Sequence, residues 1–250
     1  MIGNRSEYER MYQVERELWW YQTLHNKVIR QIRAVFPANQ SVRILDAGCG
    51  TGGLLDALRR VGYSQLSGFD ASSDAVEFAQ GRGVAAELHD LRAIDSFHPG
   101  QTFDVIICND VLCYFSDDEI VRILGIFRQR LRSGGIFISN NNAFSALRGT
   151  HDIALNIPRR FVRSEWGRFA DLAGFTLAQV AYWNFLLTIP IWFLRKTQLL
   201  LHRISRPASL ASDVKLPPLW VNEQVLGLLR VEERFFEDPP FGSSLFTVMR

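Results

Sequence analysis

Cysteine is scarce in this sequence and shows no pattern. Cys49, Cys108 and Cys113 are the three cysteines in 250 residues. They have neither the spacing of a disulfide framework nor the neighbouring histidines that metal ligation would suggest. Such usage is typical of proteins from a reducing compartment. We therefore expect neither a disulfide framework nor a metal site.

A long apolar run is also missing. The longest, FLLTIPIWFL at residues 185–194, is about half of the roughly 20 residues that a membrane-spanning helix needs. The N-terminal stretch MIGNRSEYERMYQVERELWW carries charges throughout and contains no apolar core of a signal peptide. These absences predict a soluble, cytoplasmic protein.

The sequence has no strong charge of either sign. Its formal net charge is +2, so no overall field favours nucleic acid as a partner. A base-binding sequence of the NPPY type is absent after the fourth predicted strand, where NDVL stands at residues 109–112. We expect no nucleic-acid partner.

A regular alternation of strand and helix patterns is present. Short apolar segments typical of buried parallel strands occur at residues 41–47, 66–70, 84–90, 103–110, 135–140 and 176–183, and helical patterns separate most of them. Residues 7–36 precede them with a helical pattern free of proline. The alternation predicts an α/β protein with a doubly wound, Rossmann-like sheet.

The alternation of strand and helix patterns ends after the sixth predicted strand. Residues 184–238 contain two helical patterns around a loop, and only residues 243–250 alternate like a strand again. We predict an N-terminal helical segment at 1–39, a Rossmann-like domain at 40–183 and 239–250, and a helical insertion at 184–238. Pro190 is expected to kink or end any helix through the apolar run of the insertion.

The stretch RILDAGCGTGGLL, residues 43–55, contains a glycine turn between a strand and a helix. Gly48, Gly50 and Gly53 satisfy the G-x-G-x-x-G fingerprint of dinucleotide-binding proteins. Asp46, however, places a negative charge beside the turn, which would repel a diphosphate and suit an ammonium or sulfonium group. Asp70 ends the second strand and could accept hydrogen bonds from the ribose diol of NAD or of another adenosine, so it does not discriminate between them.

Two further strand ends narrow the choice of ligand. Asp90, in HDL at the end of the third strand, is placed to accept a hydrogen bond from an adenine amino group. The fourth strand ends in NDVLCYF, which offers polar groups at the same edge of the sheet. A ligand with adenosine at one end and a cationic, zwitterionic tail at the other fits this set. S-adenosylmethionine is such a ligand.

Five stretches resemble those of class I S-adenosylmethionine-dependent methyltransferases. They are ILDAGCGTG (44–52), GFDAS (68–72), HDL (89–91), FDVIICNDVLCYF (103–115) and LRSGGIFISN (131–140). The resemblance spans about residues 40–182, and the combination is far more specific than a lone glycine motif. It implies a seven-stranded sheet whose last strand, SSLFTVMR at 243–250, is antiparallel.

The segments outside that span resemble one bacterial subgroup of small-molecule methyltransferases, which is related to the ubiquinone-biosynthesis methyltransferases. The similar features are WW at 19–20 and PFG followed by serine at 240–244. Some members methylate quinones, and others methylate sugars or natural products. The resemblance implies methyl transfer by in-line displacement to a small molecule, which could be a natural product, a sugar or a lipid-linked compound, with oxygen as the expected target.

The resemblance also implies roles at the methionine end of S-adenosylmethionine, whose product is S-adenosylhomocysteine. Gly48 and Gly50 would let the backbone approach the methionine moiety, and Cys49 fills a small-residue position between them. Asp46 would orient the amino group. Further contacts at this end are expected from Asn109, Asp110 and Tyr21, the last of which could close over the carboxylate with Trp20 and His25. Alternatively, the tryptophans pack onto the core.

At the adenosine end the resemblance implies four contacts. Asp70 would bind the ribose hydroxyls and Ala71 would lie against the adenine. Asp90 would bind the adenine amino group, and Leu91 would pack near the ring.

The sequence indicates a general base less clearly than it indicates the cofactor contacts. His151, in RGTHDIALN after the fifth strand, lies where an acceptor should bind, and histidine has a suitable pKa; it could equally be a loop residue without a role. Tyr114 could orient an acceptor or merely pack. Many relatives have Glu-His where this chain has Cys113 and Tyr114, so a base at that position is not implied.

The segment from residue 144 to residue 216, which begins before the insertion and ends inside it, is basic and contains the apolar run at 185–194. Residues 144–216 carry ten basic and four acidic residues, a net charge of +6. This segment could lie on an anionic membrane surface, roof a pocket for an apolar or phosphate-bearing acceptor, or form an ordinary helical subdomain or dimer contact. Monomer and homodimer are both open.

Two rival functions come from other classes. Gly48, Gly50 and Gly53 alone would suggest an NAD(P)-dependent oxidoreductase. A non-catalytic, S-adenosylmethionine-binding partner subunit would keep the same ligand residues and lack turnover.

Overall fold

The predicted strands form one seven-stranded sheet in the computed structural model, which describes residues 5–205 and 214–250. The sheet order is β3-β2-β1-β4-β5-β7-β6. The strands are β1 (Ile44–Ala47), β2 (Leu66–Asp70), β3 (Ala86–Leu88), β4 (Phe103–Ile107), β5 (Leu131–Asn142), β6 (Leu177–Trp183) and β7 (Ser244–Met249). The helices are α1 (Arg5–Val14), α2 (Trp19–Val35), α3 (Gly53–Arg60), α4 (Ser73–Gly81), α5 (Asp117–Arg130), α6 (Thr150–Ala154), α7 (Arg163–Ala173), α8 (Phe185–Ser205) and α9 (Leu219–Phe235).

The direction of the strands confirms the predicted fold class. The first five strands pair in parallel, whereas β7 runs antiparallel to both β5 and β6. Parallel strands are buried on both faces, so neighbouring residues of one strand enter different cores. Val105 and Ile107 pack in the core that includes α2 and α3, and Ile106 packs in the core that includes α5 and α7.

The N-terminal helical pattern forms two helices instead of one. α1 ends at Val14, and α2 begins at Trp19. Glu15, in the connection, is buried. The chain turns there, and α1 packs against α4. Arg5 of α1 pairs there with Asp74 at 2.7 Å. The break in the pattern therefore brings α1 to the carboxyl ends of the strands.

The predicted insertion contains α8 and α9. α8 continues through Pro190, so of the two predicted outcomes, a kink or a helix end, the helix end is wrong. The proline lies in the second turn, where it removes the hydrogen bond to the Leu186 carbonyl. The Leu186 amide donates to Glu232 Oε2 of α9 at 3.0 Å, and Lys27 of α2 pairs with Glu233 at 2.8 Å.

The loop predicted between these two helices falls largely on residues 206–213, outside the described part of the chain, as do Arg206 and Asp213. Within residues 5–205 and 214–250, every helix is too short or too polar to cross a bilayer.

Candidate functional site

A cavity of about 460 Å³ lies at the carboxyl ends of the parallel strands and is covered by α1, α2 and α8. Ligands of open α/β sheets bind in this position. The cavity is lined by all of the residues predicted for the site: Asp46, Gly48, Cys49, Gly50, Asp70, Ala71, Asp90, Leu91, Asn109, Asp110, Tyr21, Tyr114 and His151.

The glycine turn is tied to the end of β2. The amides of Gly48 and Cys49 both donate to the Phe69 carbonyl, at 2.8 and 2.9 Å. Gly48 has a φ of +83°, and a Cβ atom there would lie 2.4 Å from Val111 Cγ2. Both the left-handed backbone and the contact with Val111 therefore require glycine at this position, in addition to any approach of a ligand.

Asp70 is held by the turn that it faces. Its Oδ2 accepts a hydrogen bond from the Gly50 amide at 2.9 Å, and its Oδ1 accepts one from the Ser72 amide at 3.0 Å. Burial raises the pKa of this carboxyl. Each oxygen of a carboxylate has two lone pairs, so Asp70 can still accept hydrogen bonds from a ribose diol.

Carboxyl groups are concentrated beside the glycine turn. Asp46 is buried, and its burial together with the charges of Glu15 and Asp70 raises its pKa to about 8. A cationic ligand would relieve this repulsion, whereas a diphosphate would increase it. The residues present therefore fit the ammonium and sulfonium groups of S-adenosylmethionine better than the diphosphate of NAD.

A buried ion pair, missed from the sequence, fastens α1 and its connection to the turn. Glu15 accepts hydrogen bonds from Thr51 Oγ1 and from Arg82 Nη2, the latter at 3.1 Å. Arg82 also donates to the carbonyls of Thr51 and Tyr12, each at 2.8 Å. A Cβ atom on Gly53 would lie 2.0 Å from Glu15 Cδ. The third glycine of the fingerprint, Gly53, therefore makes room for Glu15. In the sequence, the combination of this glycine with an acidic residue in the N-terminal segment was the signal that could have indicated the contact.

At the adenosine end, Asp90 caps the turn that follows β3. Its Oδ1 accepts a hydrogen bond from the Arg92 amide at 2.8 Å, and its side chain is partly exposed. Leu91 is buried beside it. Asp90 therefore has a structural role as well as a position on the cavity wall.

Two polar residues after β4 interact with β5. Asn109 Oδ1 accepts a hydrogen bond from the Asn140 amide at 2.8 Å, and Asp110 Oδ2 accepts one from Asn140 Nδ2 at 2.9 Å. Asn140 Oδ1 in turn accepts a hydrogen bond from Trp183 Nε1 at 2.8 Å. Burial raises the pKa of Asp110 to about 7.

Aromatic residues of α2 also line the cavity. Burial keeps the Tyr21 hydroxyl protonated by raising its pKa, and it lowers the pKa of His25 to about 3, so the imidazole is neutral. Trp20 stacks on Trp183, with ring centroids 6.0 Å apart. Trp20 therefore packs onto the sheet and, like Tyr21 and His25, also lines the cavity.

His151 lies on α6, a short helix after β5, rather than in a loop. The neighbouring Asp152 pairs with Arg160, with Nε to Oδ1 at 2.7 Å and Nη2 to Oδ2 at 3.0 Å. This buried pair fixes the segment that carries His151. The Tyr114 hydroxyl donates to the Leu155 carbonyl at 3.1 Å, and burial raises the pKa of the tyrosine, so its geometry is that of a packing residue.

Other cavity residues were not predicted for the site from the sequence. They include Tyr8, Met11, Leu18, Trp19, Asn142, Asn184, Ile191, Leu194, Arg195, Val214, Ser243 and Ser244. Most of them belong to α1, α2, α8 and the two ends of the insertion, whose position over the sheet depends on tertiary packing. Among the described residues, His, Cys, Asp and Glu form no group of three or more that could hold a metal ion.

Comparison with known proteins gives consistent matches. The profile of a family described as methyltransferase domain matches residues 20–180. The ubiquinone biosynthesis O-methyltransferase of Thiobacillus denitrificans is 33% identical over 155 residues, which are 53% of this chain and 63% of that protein. The protein of the same name from Methylococcus capsulatus is 30% identical over 190 residues, or 64% and 77% of the two chains. The match thus covers less than two thirds of the first of these relatives.

A solved structure shares the fold. The S-adenosylmethionine-dependent methyltransferase from Mesorhizobium loti superimposes with a TM-score of 0.56 at 18% identity, over 88% of this chain and 96% of that one. At this identity the likeness concerns the fold alone.

Proposed function

The chain belongs to the methyltransferase domain family and is a class I S-adenosylmethionine-dependent methyltransferase, and from this premise we propose that it methylates a hydroxyl of an apolar small molecule. The family excludes the NAD(P)-dependent oxidoreductase. The observation that carries the proposal is the lining of the cavity. Carboxyl groups lie beside the glycine turn, whereas α8 and the segment from α6 onward contribute mostly apolar side chains together with Arg195 and His151.

The acidic end accommodates the cofactor. Asp70 binds the ribose hydroxyls, and Ala71, Asp90 and Leu91 surround the adenine. The methionine end lies among Asp46, Asn109 and Tyr21, where the carboxylate of Asp46 faces the ammonium. S-adenosylmethionine supplies a methyl group that its sulfonium has already activated, so the protein has mainly to position the acceptor in line, which can contribute about 7–11 kcal/mol.

The apolar end accommodates the acceptor. Ile191 and Leu194 of α8 and Leu155 and Ile157 after α6 line this part of the cavity, and His151 lies at its edge as a proposed acceptor contact. The names of both relatives support oxygen as the target, since each is an O-methyltransferase. The acceptor class is therefore an apolar or lipid-linked alcohol or phenol.

The experiment that tests this function is transfer of a radiolabelled methyl group from S-adenosylmethionine into an extract of the source cells, partitioned between butanol and water. We expect label in butanol, released by reagents that cleave methyl ethers. Label that stays in water on a small molecule would contradict the apolar acceptor. Binding of S-adenosylhomocysteine without any transfer would favour the non-catalytic partner subunit.

We also propose that α8 and α9 contact an anionic membrane surface, from which an apolar acceptor would enter. Phe193 and Ile204 of α8 are 59% and 71% exposed, and Trp220 of α9 is 72% exposed. Lys196 lies on α8 and Lys215 precedes α9. Leu194 is both exposed and part of the cavity wall, so the cavity opens beside these side chains. Apolar side chains flanked by lysines are typical of interfacial helices.

Vesicle sedimentation tests this contact. The protein should sediment with phosphatidylglycerol vesicles and not with phosphatidylcholine vesicles, and Phe193→Glu should weaken the binding. Leu172→Glu is the matched control, because Leu172 is equally exposed, at 63%, on α7. If vesicles do not bind and light scattering shows a dimer that Phe193→Glu dissociates, the surface is a homodimer contact instead.

A further inference from the structure

Asp110 is half-buried, and one of its carboxylate oxygens is a buried acceptor atom without a partner. It lines the cavity, and its Oδ1 is buried yet accepts no hydrogen bond from any residue in 5–205 or 214–250. A buried polar atom without a partner is unfavourable, because it has lost its hydrogen bonds to water and gained none in return. A group of this kind on a cavity wall is expected to meet its partner on a ligand.

The other oxygen of Asp110 is held in a relay of hydrogen bonds. Asn140 Nδ2 donates to Asp110 Oδ2 at 2.9 Å, and Asn140 Oδ1 accepts from Trp183 Nε1 at 2.8 Å. Because the indole can only donate, it fixes which end of the Asn140 amide faces Asp110. The Asp110 amide also donates to the Asn140 carbonyl at 2.7 Å. Asp110 is therefore oriented from β5 and β6, independently of a ligand.

Asn184, the residue after Trp183, provides a second and independent sign of a polar ligand group. It is fully buried and lines the cavity, and neither Oδ1 nor Nδ2 has a hydrogen-bond partner among the described residues. Asp110 follows β4, and Asn184 follows β6. The hydrogen bonds of Asn140 on β5 connect Asp110 to Trp183, the neighbour of Asn184. Asp110 and Asn184 both lack the partners that a bound hydroxyl compound would supply.

We propose that Asp110 is the catalytic base that takes the proton of the acceptor hydroxyl, with Asn140 and Trp183 as positioning residues. This inference rests on the proposed function. The acceptor oxygen bonds to the methyl carbon while the carbon–sulfur bond breaks and its electron pair stays on sulfur. The hydroxyl proton passes to Asp110 Oδ1, and the resulting carboxylic acid later releases it to water. His151 then contacts the acceptor without holding the proton.

The surroundings of Asp110 suit a base that works near neutral pH. Burial raises its pKa to about 7, while the hydrogen bond from Asn140 and the charge of Arg160 oppose the rise. Tyr21 of α2, and Cys108, Cys113 and Tyr114 after β4, are other titratable groups near it. Their pKa values are raised, so these four groups stay neutral where Asp110 titrates. Transfer should accordingly increase with pH as Asp110 ionises.

The decisive variant is Asp110→Asn. Asp110 has a φ of +56°, a conformation that asparagine tolerates as well as aspartate does, so the variant should fold. With labelled S-adenosylmethionine at a saturating concentration, so that pH-dependent cofactor binding through Asp46 does not enter, and with the butanol extract of the source cells as acceptor, we expect the transfer rate to fall about 10²–10⁴-fold. The rate should also lose its rise between pH 6 and 8. The affinity for S-adenosylhomocysteine should stay within about threefold of the wild type. Asp95→Asn, an exposed carboxylate on the surface, is the matched control and should change neither quantity.

Infrared titration of the protein without cofactor gives a readout besides activity. Because Asp46 also titrates in this range, the titration is run on Asp46→Asn. This variant should show a carboxylic acid band that disappears with a midpoint near pH 7, and adding Asp110→Asn should remove the band. Trp183→Phe should shift this midpoint and reduce transfer several-fold, because Asn140 is no longer oriented.

Three outcomes would overturn the assignment: unchanged transfer by Asp110→Asn, a loss of S-adenosylhomocysteine affinity that matches the loss of transfer, or no band near pH 7. If the wild type binds S-adenosylhomocysteine but methylates nothing in the extract, the proposed function fails, and the infrared titration still decides whether Asp110 holds a proton near pH 7.

Discussion

Asp70 Oδ2 accepts a hydrogen bond from the Gly50 amide at 2.9 Å, and this bond joins the end of β2 to the glycine turn. The same carboxylate is proposed to bind the ribose diol. Asp70 therefore holds the turn and is also the proposed ribose contact. Its replacement should both loosen the turn and remove hydrogen bonds to the cofactor.

Asp70→Ala should weaken S-adenosylhomocysteine binding by tenfold or more, at about 1.4 kcal/mol per decade. Asp70→Asn should lose less, because its amide oxygen can still accept one of the two backbone hydrogen bonds. Isothermal titration calorimetry measures both affinities. Glu87→Ala, at an exposed carboxylate on β3, serves as the control. An unchanged affinity in Asp70→Ala would remove Asp70 from the cofactor site.

Asp46 should make cofactor binding depend on pH. Its pKa is about 8 in the free protein, so it is mostly protonated below that pH, and an ammonium group of the ligand favours its ionised form. Binding then releases a proton, and the affinity for S-adenosylhomocysteine should rise with pH between 6 and 7.5 by at most about tenfold per unit. Calorimetry in buffers of different ionisation enthalpy counts the protons. Asp46→Asn should bind more weakly and release fewer; equal proton release by both proteins would contradict this role.

The same carboxyl should lower the stability of the free protein at high pH. Its folded-state pKa lies above the unfolded value, so the folded protein binds more protons, and the free energy of unfolding falls as pH rises from about 4 to 8. Asp46→Asn should therefore have a higher melting temperature than the wild type at pH 8 and a similar one near pH 4, as measured by calorimetry without ligand. A variant that melts lower at pH 8 would show that Asp46 stabilises the turn.

The sequence predicted the sheet well because each parallel strand is locally marked by an apolar segment and a polar residue at its end. Asp46, Asp70 and Asp90 each follow this rule, and all of them line the cavity. The antiparallel last strand was predicted by the resemblance. These elements depend on short-range patterns that the chain displays directly.

The parts that were missed depend on contacts between distant segments. Glu15 lies in what looks like one continuous helix, and only its pairing with Arg82 explains the break between α1 and α2. The buried amide of Asn184 follows a strand with no motif around it. Pro190 was expected to interrupt its helix, but its position in the second turn of α8 makes the proline tolerable.

Replacing only one partner of the ion pair between Glu15 and Arg82 should strongly lower the free energy of unfolding. Both side chains are buried and 3.1 Å apart, and removing one partner of such a pair typically costs about 3–5 kcal/mol. Arg82→Met should lower the free energy of unfolding by that amount in urea denaturation. The double variant with Glu15→Gln should recover part of the loss, because no unpaired charge stays buried. Arg122→Met, at an exposed pair with Asp95, should cost about 1 kcal/mol or less. A similar cost at the two arginines would contradict the structural role of the buried pair.

Gly48 and Gly125 should respond to alanine in opposite directions. Gly48 has a φ of +83°, and a Cβ atom there would lie 2.4 Å from Val111 Cγ2, so Gly48→Ala should lower the melting temperature and the affinity for S-adenosylhomocysteine. Gly125 lies inside α5 with no atom within 4 Å of an added Cβ, and Gly125→Ala should stabilise the protein by about 0.5–1 kcal/mol. Adding Val111→Ala to Gly48→Ala removes the steric contact but leaves the left-handed backbone, so it should restore only part of the stability. Full restoration would mean that the contact with Val111, rather than the conformation of the turn, requires glycine at position 48.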